Sequence, residues 1–185
     1  MKAGYKAKKN GQYFENFLDQ VFSTCANLNY CNIEKTPEPF RFIKPYSTNL
    51  FVGCYIKSAQ PDYKGTLKGG RSIVLEAKSV SMGKINLSAL TENEMKELVK
   101  HKELGACSGV LVYDSEKQNI YLLPIVMFER MEELFNRKHI KLELVEKFCI
   151  NKKLVNKDVS DLFNYITTLS FDDCKKLIRI KNENL

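Results

Sequence analysis

A chain of 185 residues, 44% of them hydrophobic, is long enough to bury a core and too apolar for wholesale disorder. Its apolar runs, such as 109–113 and 120–128, fall well short of the ~20 residues a membrane-spanning helix needs, and the lysine-bearing start is followed by no apolar stretch of the kind a secretory signal carries. Lys and Arg outnumber Asp and Glu by 29 to 22, a net charge of +7 that favours a polyanionic partner.

In chain order the elements predict a mixed α/β fold. Phe14, Phe17, Leu18, Val21, Phe22, Cys25 and Leu28 recur at helical spacing, giving an amphipathic helix over about 12–29. A short extended piece at 31–35 stops where Pro37 and Pro39 bar regular pairing. Residues 40–58 are aromatic and β-prone, interrupted by Pro45, and read most simply as two strands whose aromatics pack. Residues 60–65 have the composition of a turn or strand end. After Gly69-Gly70 comes the clearest strand, 72–80, then a helix from Ser88 or Thr91 to about Glu103. Strands at 107–113 and 120–123 flank a polar turn, and Pro124 is expected to open a helix carrying Met127, Phe128, Met131, Leu134 and Phe135. Residues 136–185 are read as a helical extension of one domain spanning 1–185, whose core covers about 11–135. Ser170-Phe171-Asp172-Asp173 has the form of a capped helix start.

The six cysteines form no CxxC pair, and neither His101 nor His139 has a cysteine within four residues, so a structural zinc site is not expected. Reduced thiols acting as small apolar fillers fit best, which suits a cytoplasmic protein. Lys2, Lys6, Lys8 and Lys9 precede the first acid, Glu15, and a second basic cluster runs from Arg137 to Lys157, with seven cations against Glu143 and Glu146.

The chemistry concentrates in Asp62 and, after thirteen intervening residues, Glu76-Ala77-Lys78. Alternation along a strand puts Glu76 and Lys78 on one face. The strand is otherwise apolar, so both charges need a partner or a metal. A hairpin reversing at the glycines would bring Asp62 back beside Glu76. Two converging carboxylates call for a cation between them, and hard oxygen ligands select Mg²⁺ or Mn²⁺. A lysine beside such a site suits attack of water on a phosphodiester.

These residues resemble those of a known family. The stretch AQPDYKGTLKGGRSIVLEAKSV (59–80) is similar to the glycine-rich turn and EAK strand of the RecU-type Holliday-junction resolvases, nucleases of the PD-(D/E)xK superfamily. GQYFE (11–15) looks like the family's first-helix motif, and IEKTPEP (33–39) like its lysine- and proline-containing segment. INLSAL, LGACSGVLVYD and NIYLLP follow the family's order of helix, glycine, strand and strand, so the likeness covers about 11–128 and leaves the last third without a match.

The resemblance implies a restriction-endonuclease-like mixed sheet flanked by helices. It also implies a divalent metal, Mg²⁺ or alternatively Mn²⁺, held by Asp62, Glu76 and the backbone carbonyl of Ala77. Lys78 would position or activate water, and Glu15 would join the same catalytic site. Where these nucleases usually carry a glutamine behind the site, this chain has Glu94, which also fits a capping box with Thr91. The stretch 40–57, with Arg41, Lys44 and Lys57, falls where the resolvases insert a stalk that enters the junction. Lys64, Lys68 and Arg71 flank the site and could meet phosphates.

The expected protein is a homodimer that nicks four-way DNA junctions in pairs, since two symmetric cuts need two symmetric sites. A related nuclease acting on duplex ends, flaps or foreign DNA, and a basic nucleic-acid-binding module without catalysis, are the alternatives.

Overall fold

The computed structural model describes residues 3–56 and 60–182. The first helix, α1 (Ala3–Asn27), begins well before residue 12. Its opening turns carry no apolar stripe, so periodicity does not mark them, yet Ala and Lys are good helix formers. Phe14, Leu18, Val21, Phe22 and Cys25 are buried along one side of it. Then come β1 (Cys31–Lys35), β2 (Phe40–Ser47), β3 (Leu50–Tyr55), β4 (Tyr63–Leu67) and β5 (Ser72–Val80). After β6 (Lys84–Asn86), α2 (Glu92–Glu103) crosses over to β7 (Cys107–Asp114), which turns back as β8 (Asn119–Pro124).

Five strands form one mixed sheet in the order β1-β4-β5-β7-β8, and only the central β5–β7 pair is parallel. That pair needs a crossover, which α2 supplies. The register pairs Tyr63 with Leu75 and Lys64 with Val74, and Val74 in turn with Ser108. Paired residues share a face, so Tyr63, Leu75 and Gly109 look one way and Val74, Glu76, Lys78 and Ser108 the other. α1 covers the first face, where Phe22 packs edge-on against both Tyr63 and Phe163. α2 covers the second, where the Ser108 hydroxyl donates to the Leu98 carbonyl at 2.7 Å. The β4–β5 hairpin turns through Gly69 and Gly70, at φ of 95° and 92°, which side chains rarely adopt. At Gly65 a Cβ would stand 2.0 Å from the Asn32 carbonyl oxygen, so glycine is what lets β1 lie against β4.

β2 and β3 pair only with each other and stand apart from the main sheet. Phe40 packs edge-on against Phe51 and Tyr55, as the two-strand reading of this stretch requires, while all three rings stay exposed. Lys57 and Ser58, at the end of that stretch, lie outside the described residues.

Two expectations for the rest need correction. Pro124 closes β8 instead of opening a helix, and the apolar residues beyond it form two short helices, α3 (Val126–Glu129) and α4 (Met131–Phe135), broken at Arg130 (φ −116°, ψ 30°). The last third is not wholly helical: β9 (His139–Lys141) pairs antiparallel with β6, and the chain passes through 3₁₀ turns at Leu142–Phe148 and Asn151–Lys153. Only then do α5 (Val159–Thr167) and α6 (Phe171–Asn182) follow. A three-residue strand whose partner lies far off in sequence has too little alternation to be read locally. The Ser170 cap forms as expected, with the Asp173 N–H donating to the Ser170 hydroxyl and the Ser170 N–H to the Asp173 carboxylate.

The cysteines behave as fillers: Cys25, Cys31, Cys107 and Cys174 are buried, and all six thiols are free. Among the described residues no helix is long and apolar enough to cross a membrane.

Candidate active site

β4 begins at Tyr63, across from Leu75, while β5 runs on past that point, so the chain just before β4 lies along the edge of β5. Asp62 therefore lies opposite Glu76. Its carboxylate accepts the Ala77 N–H at 2.9 Å, and its own N–H donates to Glu76 at 3.4 Å. N–H and C=O of one strand residue leave the same edge, so the Ala77 carbonyl is directed to the side on which Asp62 sits. Glu76 is only 2% exposed, and Lys78 Nζ donates to its Oε1 at 2.8 Å.

Glu94 on α2 closes the group. One of its oxygens accepts Lys78 Nζ at 3.2 Å and the other accepts the Thr91 N–H at 2.7 Å, while the Glu94 N–H donates to the Thr91 hydroxyl. The capping box expected at Thr91 is thus present, and the same carboxylate also reaches across to the lysine. Asp62 and Glu94 line a cleft of about 450 Å³ together with Thr36 and Pro61, among others.

Glu15 does not join the pair. It belongs to α1, on the opposite face of the sheet, and its carboxylate takes Lys35 Nζ at 2.7 Å. Its charge still bears on Asp62. Tyr63 stands between them, its hydroxyl donating to the Asp19 carboxylate at 2.9 Å. Lys35 and Asp19 were not singled out from sequence. The only local signal was the position of Lys35 in the segment before Pro37.

The expected DNA-binding residues divide. Arg41 and Lys44 are exposed on the separate β2–β3 hairpin, and Lys68 is exposed at the β4–β5 turn. Lys64 donates to Gln60 at 3.3 Å. Arg71 is tied into the scaffold: Nε donates to the Gly105 carbonyl at 2.8 Å and Nη1 to Asn164 at 2.6 Å, joining the hairpin to α5. Arg71→Ala is expected to lower stability by about 1–2 kcal/mol, measured by denaturant unfolding. A stability change within error would release the arginine from this structural role.

Burial raises the proton affinity of both carboxylates. Burial, then the charge of Asp62, pushes the Glu76 carboxyl up to about 8 against the pull of Lys78. Burial also raises Asp62, although the Ala77 N–H and Lys78 oppose it. Burial would lower Lys78, but Glu76, Glu94 and Asp62 together hold it above its ordinary value and keep it protonated at neutral pH. For Glu94 burial acts upward and is outweighed by the Thr91 N–H and Lys78, leaving it below the usual range.

Among the described residues, no three or more His, Cys, Asp or Glu side chains are gathered to hold a metal ion. Asp62 and Glu76 meet as a pair, with the Ala77 N–H bound to the first of them.

In a comparison against family models, the recombination protein U model matches residues 9–170. The chain belongs to the recombination protein U family. The family is one of Holliday junction resolvases, and membership supports a nuclease role in recombination with branched DNA as partner. The match runs well beyond residue 128, so β9 and α5 fall within the family's region and are not an unrelated extension. Comparison with curated proteins returns no match.

Proposed function

We propose that this chain is a divalent-metal-dependent endonuclease that resolves four-way DNA junctions by paired nicks, working as a homodimer. The observation that carries the reading is the placement of Asp62 against Glu76 with Lys78 between Glu76 and Glu94. The donor set fits Mg²⁺, or Mn²⁺ in its place. Asp62 and the buried Glu76 repel when both are ionised, a cation between them would relieve that repulsion, and their oxygens with the Ala77 carbonyl are hard ligands. Once bound, the ion supplies charge neutralisation for a phosphodiester and activation of water.

The protein's own residues do the rest. Asp62 is fixed by the Ala77 N–H, so its carboxylate is aimed before substrate arrives. Lys78, already charged, donates hydrogen bonds to the attacking water or a phosphate oxygen and stabilises the negative charge that builds there. Glu94 limits the rotamers open to Lys78 and anchors them to the start of α2. Glu15 and Lys35 act at the edge, where their ion pair holds α1 against the end of β1.

Glu94→Gln keeps an oxygen for the cap but gives up the charge on Lys78. Cleavage is expected to slow about three- to tenfold with the fold intact, whereas Glu94→Ala also loses about 1 kcal/mol of cap stability. Cleavage rates and thermal melts of the two variants separate these effects.

The function itself is tested by incubating the purified chain with labelled four-way junction and linear duplex, with and without Mg²⁺. Symmetric nicks in the junction, dependent on the ion, are expected. Equal cutting of duplex would move the assignment to another substrate, and no cutting under any condition would remove the enzyme.

A further inference from the structure

The β6–β9 ladder has two unlike faces. Ile85 and Ile140 pair with each other and are wholly buried, so the alternate residues look outward. Lys84 stands directly across from Lys141, and Asn86 from His139. Like charges placed opposite each other across an antiparallel pair repel. Lys141 reaches Glu143 at 3.4 Å, while Lys84 has no carboxylate partner among the described residues. Arg137 and Lys138 immediately precede β9, and Lys138 is held only at 3.4 Å by Glu132. This is the start of the basic cluster that the active-site chemistry does not use.

Its position matters more than its charge. Between the ladder and the start of α2 lies an open groove of about 770 Å³, lined by the apolar Leu87, Leu90 and Met95, by Lys138 and His139, and by the Glu92–Lys96 ion pair. Thr91 lines this groove and also the cleft that holds Asp62 and Glu94. The two therefore adjoin at Thr91, at the N-terminal end of α2. An apolar groove with Lys138 on it and Lys84 and Lys141 on the ladder beside it suits one occupant in particular: a nucleic-acid strand, with its sugars and bases in the groove and its phosphates on the lysines.

We infer that the outward face of β6–β9, with the groove beside it, carries the cleaved strand onward from the scissile phosphate. Lys84, Lys138 and Lys141 receive successive backbone phosphates, and the contact fixes the strand's path without reading its sequence. The repulsion between Lys84 and Lys141 in the free protein is relieved when the strand binds. The inference rests on the junction-nuclease reading and adds a second contact surface to it.

The test uses the full chain with Lys84, Lys138 and Lys141 changed together to Gln, and a companion with all three changed to Arg. Junction affinity is measured from 50 to 300 mM salt by fluorescence anisotropy, with Ca²⁺ in place of Mg²⁺ to prevent cutting. For the Gln variant the slope of log affinity against log salt is expected to shallow by about two to three units, and affinity at 150 mM salt to fall about tenfold or more. The Arg variant is expected to keep both. The thermal midpoint of the Gln variant is expected to hold or rise, because a repulsive pair is removed. A Gln variant with wild-type slope and affinity would overturn the inference while leaving the nuclease reading standing. A wild-type chain that neither binds nor cuts junctions would overturn the nuclease reading itself.

Discussion

Glu76→Gln is expected to reduce junction cleavage about a thousandfold or more, and at the same time to raise the thermal midpoint of the metal-free protein at pH 8.5. The two effects have one cause. The carboxyl of Glu76 is pushed up to about 8, first by burial and then by the charge of Asp62. A proton is therefore bound more tightly in the folded chain than in the unfolded one. The resulting stability is fully present below the ordinary value of 4.5 and is lost as pH rises through about 8. Above that pH the native fold carries an ionised carboxylate that it would hold better neutral. Glutamine is neutral at every pH and keeps the shape, so the variant escapes a penalty on the order of 2 kcal/mol, with the strong coupling to neighbours taken as a discount. For a chain of this size that is about 4–8 °C. Melts from pH 4.5 to 9 should show wild type weakening across the window while the variant stays nearly level. Added Mg²⁺ should restore wild type and leave the variant unmoved. A variant less stable than wild type at pH 8.5 would mean that the ionised carboxylate is welcome where it sits, and the case for a cation between Asp62 and Glu76 would fall with it.

Lys78→Met should act in the opposite sense on stability and in the same sense on rate. The methionine fills the stem's volume but leaves Glu76, Glu94 and Asp62 without the cation they share. Removing one member of a buried pair costs about 3–5 kcal/mol. Lys78 keeps some contact with water, so about 2–3 kcal/mol is expected at pH 8.5. At pH 5.5 the loss should shrink, because Glu76 can then take a proton and no longer needs the ammonium. Cleavage should fall about a hundredfold or more with the donor gone. In the double variant Glu76→Gln/Lys78→Met most of the lost stability should return, a coupling read by the double-mutant cycle. A loss of equal size at both pH values would reduce the lysine to packing.

The two variants separate jobs that share one cluster. On the proposed reading Glu76 is costly to the empty fold and serves the chemistry, whereas Lys78 serves both. The lysine beside them offsets part of the cost of burying the acids, and on the proposed reading a bound cation would offset the rest.

Much of this was legible along the chain. The alternation in SIVLEAKSV puts Glu76 and Lys78 on one face wherever that strand is placed. The glycine pair after Asp62 demands a reversal, and a reversal there leaves Asp62 across from Glu76. The capping boxes at Thr91 and Ser170 are written in residues three apart. The ends of elements were less secure: α1 extends over turns that show no stripe, and Pro124 stops a strand where it was expected to start a helix.

Sequence by itself determined what depends on neighbours a few residues apart: strand alternation, the hairpin reversal, the caps, and with them the core of the site. Only the tertiary structure decided which distant groups meet. It sent Glu15 to Lys35, because α1 packs on the face of the sheet away from Glu76. It gave Glu94 a second bond, to Lys78, because α2 crosses over the other face. It turned Arg71 toward Gly105 and Asn164, and it paired β6 with β9 so that two lysines face each other beside the cleft. Those outcomes follow from how layers pack, and packing brings together residues whose separation along the chain carries no pattern to read.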